Sequence, residues 1–354
     1  MSKKENQHFV PKFYLSRFSF NNNGKQIGLF NLESGFFKSD AKLKTQGSQK
    51  NFYGIDGVIE ESLSQLENIY AQVFKEIINS NNLPKRNSFE RYLLYQFAVI
   101  MSLRNPIQPK NLEVSFNTMA DILKSKGPCN MNMLKSLEGT HQEWLNMGFR
   151  NILLCTNYCL DLEIKLFKNN TLSPFIISDN PVIRYNQYLE RKKHPGGNSG
   201  YGSMGLQIFI PLDPNLILAL YDPWAYKIGP RKQSTISIHD QNEIFQFNLL
   251  QFINCDRIVY FNHQMDENKI LTLYEKSKRY NKANLPVTKE YPLMVHKFGK
   301  ISKESVIVMS NTNCEIKLCI QAIKETSQAK SHKLDNKAVH LRKWATDLRN
   351  KYSS

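Results

Sequence analysis

Apolar positions mark out the chain's elements. Ile59, Leu63, Leu66, Tyr70, Val73 and Ile77 form a stripe at alternating four- and three-residue steps. That spacing places six apolar side chains on one face and predicts a helix over 56–79. Asp56 is its expected N-cap, and Glu60 and Glu61 sit in the first turn, where the helix dipole favours acids. The stretch 89–103 is apolar nearly all round, so it predicts a central buried helix, capped by Ser88 and closed by Arg104-Asn105-Pro106. Helical spacing continues over 112–126 and 131–160. Near the N-terminus, Pro11 can open a short helix that buries Phe13, Leu15 and Phe18.

At Leu162 the period changes to two. Strands are expected over 162–167 and 175–178, paired as a hairpin, then over 207–212 and 216–221 across the turn Asp213-Pro214-Asn215. Further strands are expected at 26–32, 36–37, 51–53, 257–261, 286–298 and 313–323, with helices at 240–254, 266–280 and 333–351. Segregated runs of this kind point to an α+β fold, a helical segment packed on a mostly antiparallel sheet. We expect one domain over 1–328, with a soft boundary near 160 between helical and strand-rich parts, followed by a basic C-terminal helix over 329–354. The glycine-rich stretch 188–205 is expected to be a mobile surface loop.

One strand end stands out. The apolar run Pro174-Phe175-Ile176-Ile177 stops on Ser178-Asp179-Asn180 and then Pro181, which cannot continue a ladder. Such an end either aims a carboxylate and an amide at a ligand or closes a turn with them. Composition adds a partner class. Apolar residues are 41% and charged residues 22%, a globular balance. With 47 Lys and Arg against 31 Asp and Glu, the net charge of +16 favours a polyanionic partner such as nucleic acid, or attraction to anionic lipid. The six cysteines form no C-x-x-C pair, and we expect reduced thiols and a cytoplasmic location. No leader-like apolar run opens the chain, and no stretch is apolar enough for a transmembrane helix.

Three stretches together carry a resemblance. They are His8-x-Val10-Pro11-x-x-Tyr14-Leu15-x-x-Phe18; Asn51-Phe52-Tyr53 with Ile59-Glu60 and Glu67 on the next helix; and the S-D-N-P strand end with Pro211-Leu212-x-Pro214. Over roughly residues 7–262 the chain resembles a bacterial domain-of-unknown-function family that opens with H-Y-V-P-Q-F-Y-L-x-x-F. It departs from that family where an Arg-Thr-Pro ending is usual and Arg104-Asn105-Pro106 stands instead. The family's members occur among bacterial anti-phage genes, so the resemblance implies a defence role and a phage-derived trigger.

Beside the resemblance, the residues suggest a site made of His8, Glu60, Glu67, Asp179 and Asn180. Glu60, Glu67 and Asp179 are oxygen donors suited to Mg²⁺ or Mn²⁺, and His8 to a base or ligand. Arg104 suits a phosphate, and Arg191, Lys192, Lys193, Arg342 and Lys343 are further candidate contacts to nucleic acid. Together they would suit metal-dependent phosphodiester cleavage, a nuclease. Each has a second reading. Glu67 and Arg104 can be an ion pair between packed helices, Glu60 an acid at a helix start, and Asp179 a turn-closing residue. On that reading the protein is a non-catalytic sensor. No Walker A loop, G-x-G-x-x-G, H-E-x-x-H or G-x-S-x-G occurs.

Overall fold

The computed structural model describes residues 5–127, 129–297, 300–335 and 339–353. Its fold is α+β. A five-stranded sheet runs in the order Thr235–Ile238, Glu163–Asn169, Leu216–Tyr221, Gln207–Asp213, Ile183–Tyr185, and its pairs are antiparallel except the first. A four-stranded antiparallel sheet runs Phe37–Lys42, Gln26–Asn31, Ile258–Phe261, Ile177–Ser178. The remaining strands form two-stranded ribbons, the longest joining Pro286–Lys297 to Lys300–Asn311.

The helical stripe folds as its spacing dictates. Val58–Ser80 buries Leu63, Tyr70, Val73, Phe74 and Ile77. Its cap shifts by one residue: Gly57 takes the capping position with φ +76, and the Asp56 carboxylate accepts from the Val58 N–H at 3.2 Å. Phe89–Leu103 is buried on most sides, with Ser88 accepting from the Arg91 N–H. Both helices pack with Leu166, Ile208 and Leu218 of the five-stranded sheet in one apolar cluster. The helical and strand-rich parts therefore share one apolar core.

Several expectations need correction. Residues 51–53 form a turn, and the strand there is Ser48–Lys50, paired with Asn6–His8. The stretch 131–160 is three helices, Met131–Lys135, His141–Arg150 and Ile152–Cys159. Thr140 and Glu143 form a reciprocal capping box that starts a new helix, and Gly139 lies against the Trp144 ring, where a Cβ would sit 2.7 Å away. The hairpin between 162–167 and 175–178 does not form. Both edges of Glu163–Asn169 are taken by other strands, and Ile177–Ser178 joins the other sheet. The stretch 313–323 is irregular because side chains take its N–H groups. Leu318 N–H donates to the Tyr185 hydroxyl at 3.0 Å, Cys319 N–H to Gln246 Oε1 at 2.7 Å and Gln321 N–H to Glu243 Oε1 at 2.5 Å.

The last correction is at the C-terminus. The final helix is Lys343–Ser353, not 333–351. Before it, the chain runs extended along the glycine-rich loop: Met204 N–H donates to His340 O at 2.8 Å and Arg342 N–H to Gly202 O at 2.9 Å. Residues 336–338 of the expected terminal helix, and Phe298 of the expected strand, lie outside the described residues. No helix among the described residues is long and apolar enough to cross a membrane.

Candidate functional site

The N-terminal motif is a packing device first. Val10, Tyr14, Leu15 and Phe18 are fully buried, and the Tyr14 hydroxyl donates to the carbonyl of Pro211. Residues of two family stretches thus meet directly. Val10 N–H donates to Gly47 O at 3.0 Å. Gly47 has φ +59, and a Cβ there would lie 2.8 Å from Val10 Cβ, so the position suits glycine alone.

Arg104 is the centre of this region. It ends the buried helix Phe89–Leu103 and is itself 2% exposed. Its Nε donates to the Tyr53 hydroxyl at 2.9 Å, one Nη to Glu67 Oε1 at 2.8 Å and the other Nη to the His8 carbonyl. Tyr53 also donates to the His8 carbonyl, at 3.1 Å, and its N–H donates to Gln7 Oε1 at 2.5 Å. Burial lowers the pKa of Arg104, but Tyr53 and Glu67 more than offset that and the net shift is upward. Burial pushes the Tyr53 hydroxyl well up, against the nearby Arg104 charge. Glu60 acts on Tyr53 from the first turn of Val58–Ser80. Glu67, the Tyr53 hydroxyl and the backbone carbonyl of His8 therefore meet at the buried Arg104 guanidinium, with Glu60 near enough to act on Tyr53.

Asp179 faces another way. One carboxylate oxygen accepts from the Asp256 N–H at 2.7 Å, and the other from Arg257 and Ile258 N–H at 2.7 and 2.9 Å. Its own N–H donates to Ile258 O at 2.9 Å. The carboxylate thus closes the bend that starts the strand Ile258–Phe261. Burial pushes its pKa up while those three N–H groups pull it down, and the net direction is upward. Asn180 is equally engaged. Its Oδ1 accepts from Asn105 Nδ2 at 3.0 Å and its Nδ2 donates to Asn254 O at 3.1 Å.

The turn is cradled by residues the sequence reading missed. Helix Gln241–Asn254 points Asn248, Gln251 and Asn254 at the segment 174–182. Asn248 accepts from Ile176 N–H at 3.0 Å and donates to Pro174 O at 2.9 Å. Gln251 donates to Pro181 O at 3.0 Å and accepts from the Ser178 hydroxyl at 2.9 Å. Asn254 donates to Asn180 O at 2.5 Å. The available signal was three amides at three-residue steps in an apolar helix.

With both Asp179 oxygens filled by backbone donors and Glu67 held by Arg104, these carboxylates do not fit a divalent cation as they stand. Among the described residues, no cluster of three or more His, Cys, Asp or Glu could hold a metal.

The basic candidates divide. Arg342 is 4% exposed; its guanidinium pairs with Asp161 at 2.8 and 3.0 Å and donates to the Ser203 and Tyr201 carbonyls. The group is a tie beneath the glycine-rich loop. Arg104 is likewise enclosed by its partners and does not face an external phosphate. Arg191, Lys192, Lys193 and Lys343 are exposed, with Arg191 paired to Glu325 at 2.9 Å.

A cleft lies beside the Asn180 turn. A small inner cavity is lined by Asn180, Asn105, Gln108, Arg184 and Asn311. An open cleft of about 350 Å³ shares Gln108, Arg184 and Asn311 with it and is walled by the glycine-rich loop. The loop is anchored: Asn198 N–H donates to Asn313 Oδ1 at 2.9 Å, and Asn198 O accepts from Asn186 Nδ2 at 2.7 Å.

Residues 6–265 match the family model DUF4238, described as a protein of unknown function, and the chain belongs to that family. No curated protein and no solved structure matches it.

Proposed function

We propose that this is a bacterial defence protein that works by recognition: a sensor that binds a phage-derived component, with nucleic acid as the polyanion its charge favours. The observation that carries recognition over cleavage is the engagement of the motif carboxylates. Asp179 accepts three backbone N–H groups and Glu67 is ion-paired to a buried arginine. Freeing either for a metal would strand buried donors, at a cost of roughly 1–3 kcal/mol for each neutral one. The net charge of +16 and the exposed Lys192, Lys193 and Lys343 supply the attraction to phosphates. The defence setting and the phage trigger come from the family resemblance, and the interior of a bacterial cell is where such a trigger would be met.

The test is fluorescence anisotropy with labelled single-stranded and double-stranded DNA and RNA, at several salt concentrations, with Mg²⁺ or with EDTA. The expected result is binding that weakens steeply with salt and is unchanged by EDTA. Absence of binding to every probe at low salt would overturn the nucleic-acid part of the reading. Binding that requires Mg²⁺ or Mn²⁺ would return the metal-dependent nuclease to first place.

A further inference from the structure

The open cleft beside Asn180 has no part in the preceding reading. Among the described residues lining it, Arg184 alone is ionisable. Arg104 and Arg342, also turned inward, each hold a carboxylate partner. Arg184 differs. Among the described residues its guanidinium makes no ion pair and no hydrogen bond, and it lies 5.1 Å over the Tyr201 ring. A half-buried cation facing neutral walls is an anion site in waiting, because it has shed part of its hydration without gaining a counter-charge.

The wall opposite supplies donors. Gly197, Ser199, Gly200 and Gly202 line the cleft, and among the described residues their backbone N–H groups meet no acceptor. This loop is held close to its neighbours: a Cβ at Gly197 would sit 2.7 Å from Ser310 Cβ, and one at Gly202 2.9 Å from Ala345 Cβ. Asn313 and Arg342 fix the backbone between them. Backbone donors and a guanidinium lining one cleft are the chemistry that takes a phosphate, whose three terminal oxygens can use more donors than a carboxylate can. The other wall is apolar, with Leu112, Val308, Met309 and Leu341. A volume of about 350 Å³ lies at the lower end of small-molecule sites.

We propose that this cleft binds a phosphomonoester of nucleotide size, with its phosphate on Arg184 and the 197–203 loop and its base-like part against the apolar wall. The proposal stands apart from polyanion binding, since a chain that ignores DNA and RNA can still take a mononucleotide.

Isothermal titration with inorganic phosphate, AMP and UMP tests it on three proteins: wild type, Arg184→Gln and Gln108→Glu. Gln108 lines the cleft with Arg184, and a carboxylate there gives the guanidinium an internal partner that competes with phosphate. Wild type is expected to bind a nucleotide saturably and at least about tenfold tighter than inorganic phosphate. Arg184→Gln is expected to weaken that binding by roughly ten- to a hundredfold. Gln108→Glu should abolish it while melting at the wild-type temperature or above. If Arg184→Gln fails to fold, Gln108→Glu decides alone. No saturable binding by wild type, binding no tighter for the nucleotides than for phosphate, or binding that survives Gln108→Glu would overturn the proposal.

Discussion

Replacing Asp179 separates a fold-holding carboxylate from a ligand-holding one. In Asp179→Ala three backbone N–H groups, those of Asp256, Arg257 and Ile258, lose their acceptor inside the protein. Hydrogen bonds to a charged group contribute about 1.5–3 kcal/mol each, but they share one carboxylate and do not add in full. Burial of that carboxylate, which raises its pKa, offsets part of the gain. The net loss should be about 3–5 kcal/mol, in line with breaking a buried charged network. In a chain of this length that lowers the melting temperature by something on the order of 5 °C. Asp179→Asn keeps one acceptor oxygen but turns an NH₂ toward N–H donors, so it should cost at least about 2 kcal/mol. Urea unfolding followed by tryptophan fluorescence reads both variants, through Trp144, Trp224 and Trp344. Unchanged midpoints in both, with function lost, would refute the reasoning and make Asp179 a site residue.

Arg104→Gln should destabilise by roughly 3–5 kcal/mol, because Glu67 and the His8 carbonyl lose their buried donor. Arg104→Lys should recover only part of that, since one ammonium cannot span Tyr53, Glu67 and His8 together; thermal melts of the two variants check the order. Glu190 has its carboxyl raised by burial, against the Tyr185 hydroxyl and the Lys317 N–H that donate to it. Its folded form therefore keeps a proton that the unfolded chain has lost, and stability falls as pH rises from about 4.3 through the raised value. Glu190→Gln should flatten that fall in melts taken between about pH 4 and 7, and a slope identical to wild type would contradict it.

What the sequence revealed and concealed follows from the range of the interactions. The helices Val58–Ser80 and Phe89–Leu103 are written in local spacing, and so is the strand pair Gln207–Asp213 with Leu216–Tyr221 across its short turn. The Glu67–Arg104 pair was legible as one of two readings, because Glu67 sits on one predicted helix and Arg104 closes the next. The pairing of Ile177–Ser178 was not legible: the short Asn-rich link suggested a hairpin, while the strand's partner lies some 80 residues on, at Ile258–Phe261. The glycine-rich loop looked mobile for its composition, yet Asn186, Asn313 and Arg342 tie it down from distant positions. The cleft draws on the helix Ile107–Ser125, on Arg184, on that loop and on the ribbon strand Lys300–Asn311. No local pattern connects those segments. The family pattern is itself tertiary: Tyr14 meets Pro211, Arg104 meets His8, Tyr53 and Glu67, and Asn105 meets Asn180.

The central claim is that the family's polar residues build a binding scaffold and that the protein recognises its target without cutting it. The most direct measurement incubates the purified protein with phage and host DNA and RNA, with Mg²⁺, Mn²⁺ or EDTA, and resolves the products on denaturing gels. The account predicts intact nucleic acid in every lane. Metal-dependent cleavage that disappears in an Asp179→Asn protein melting at the wild-type temperature would contradict it.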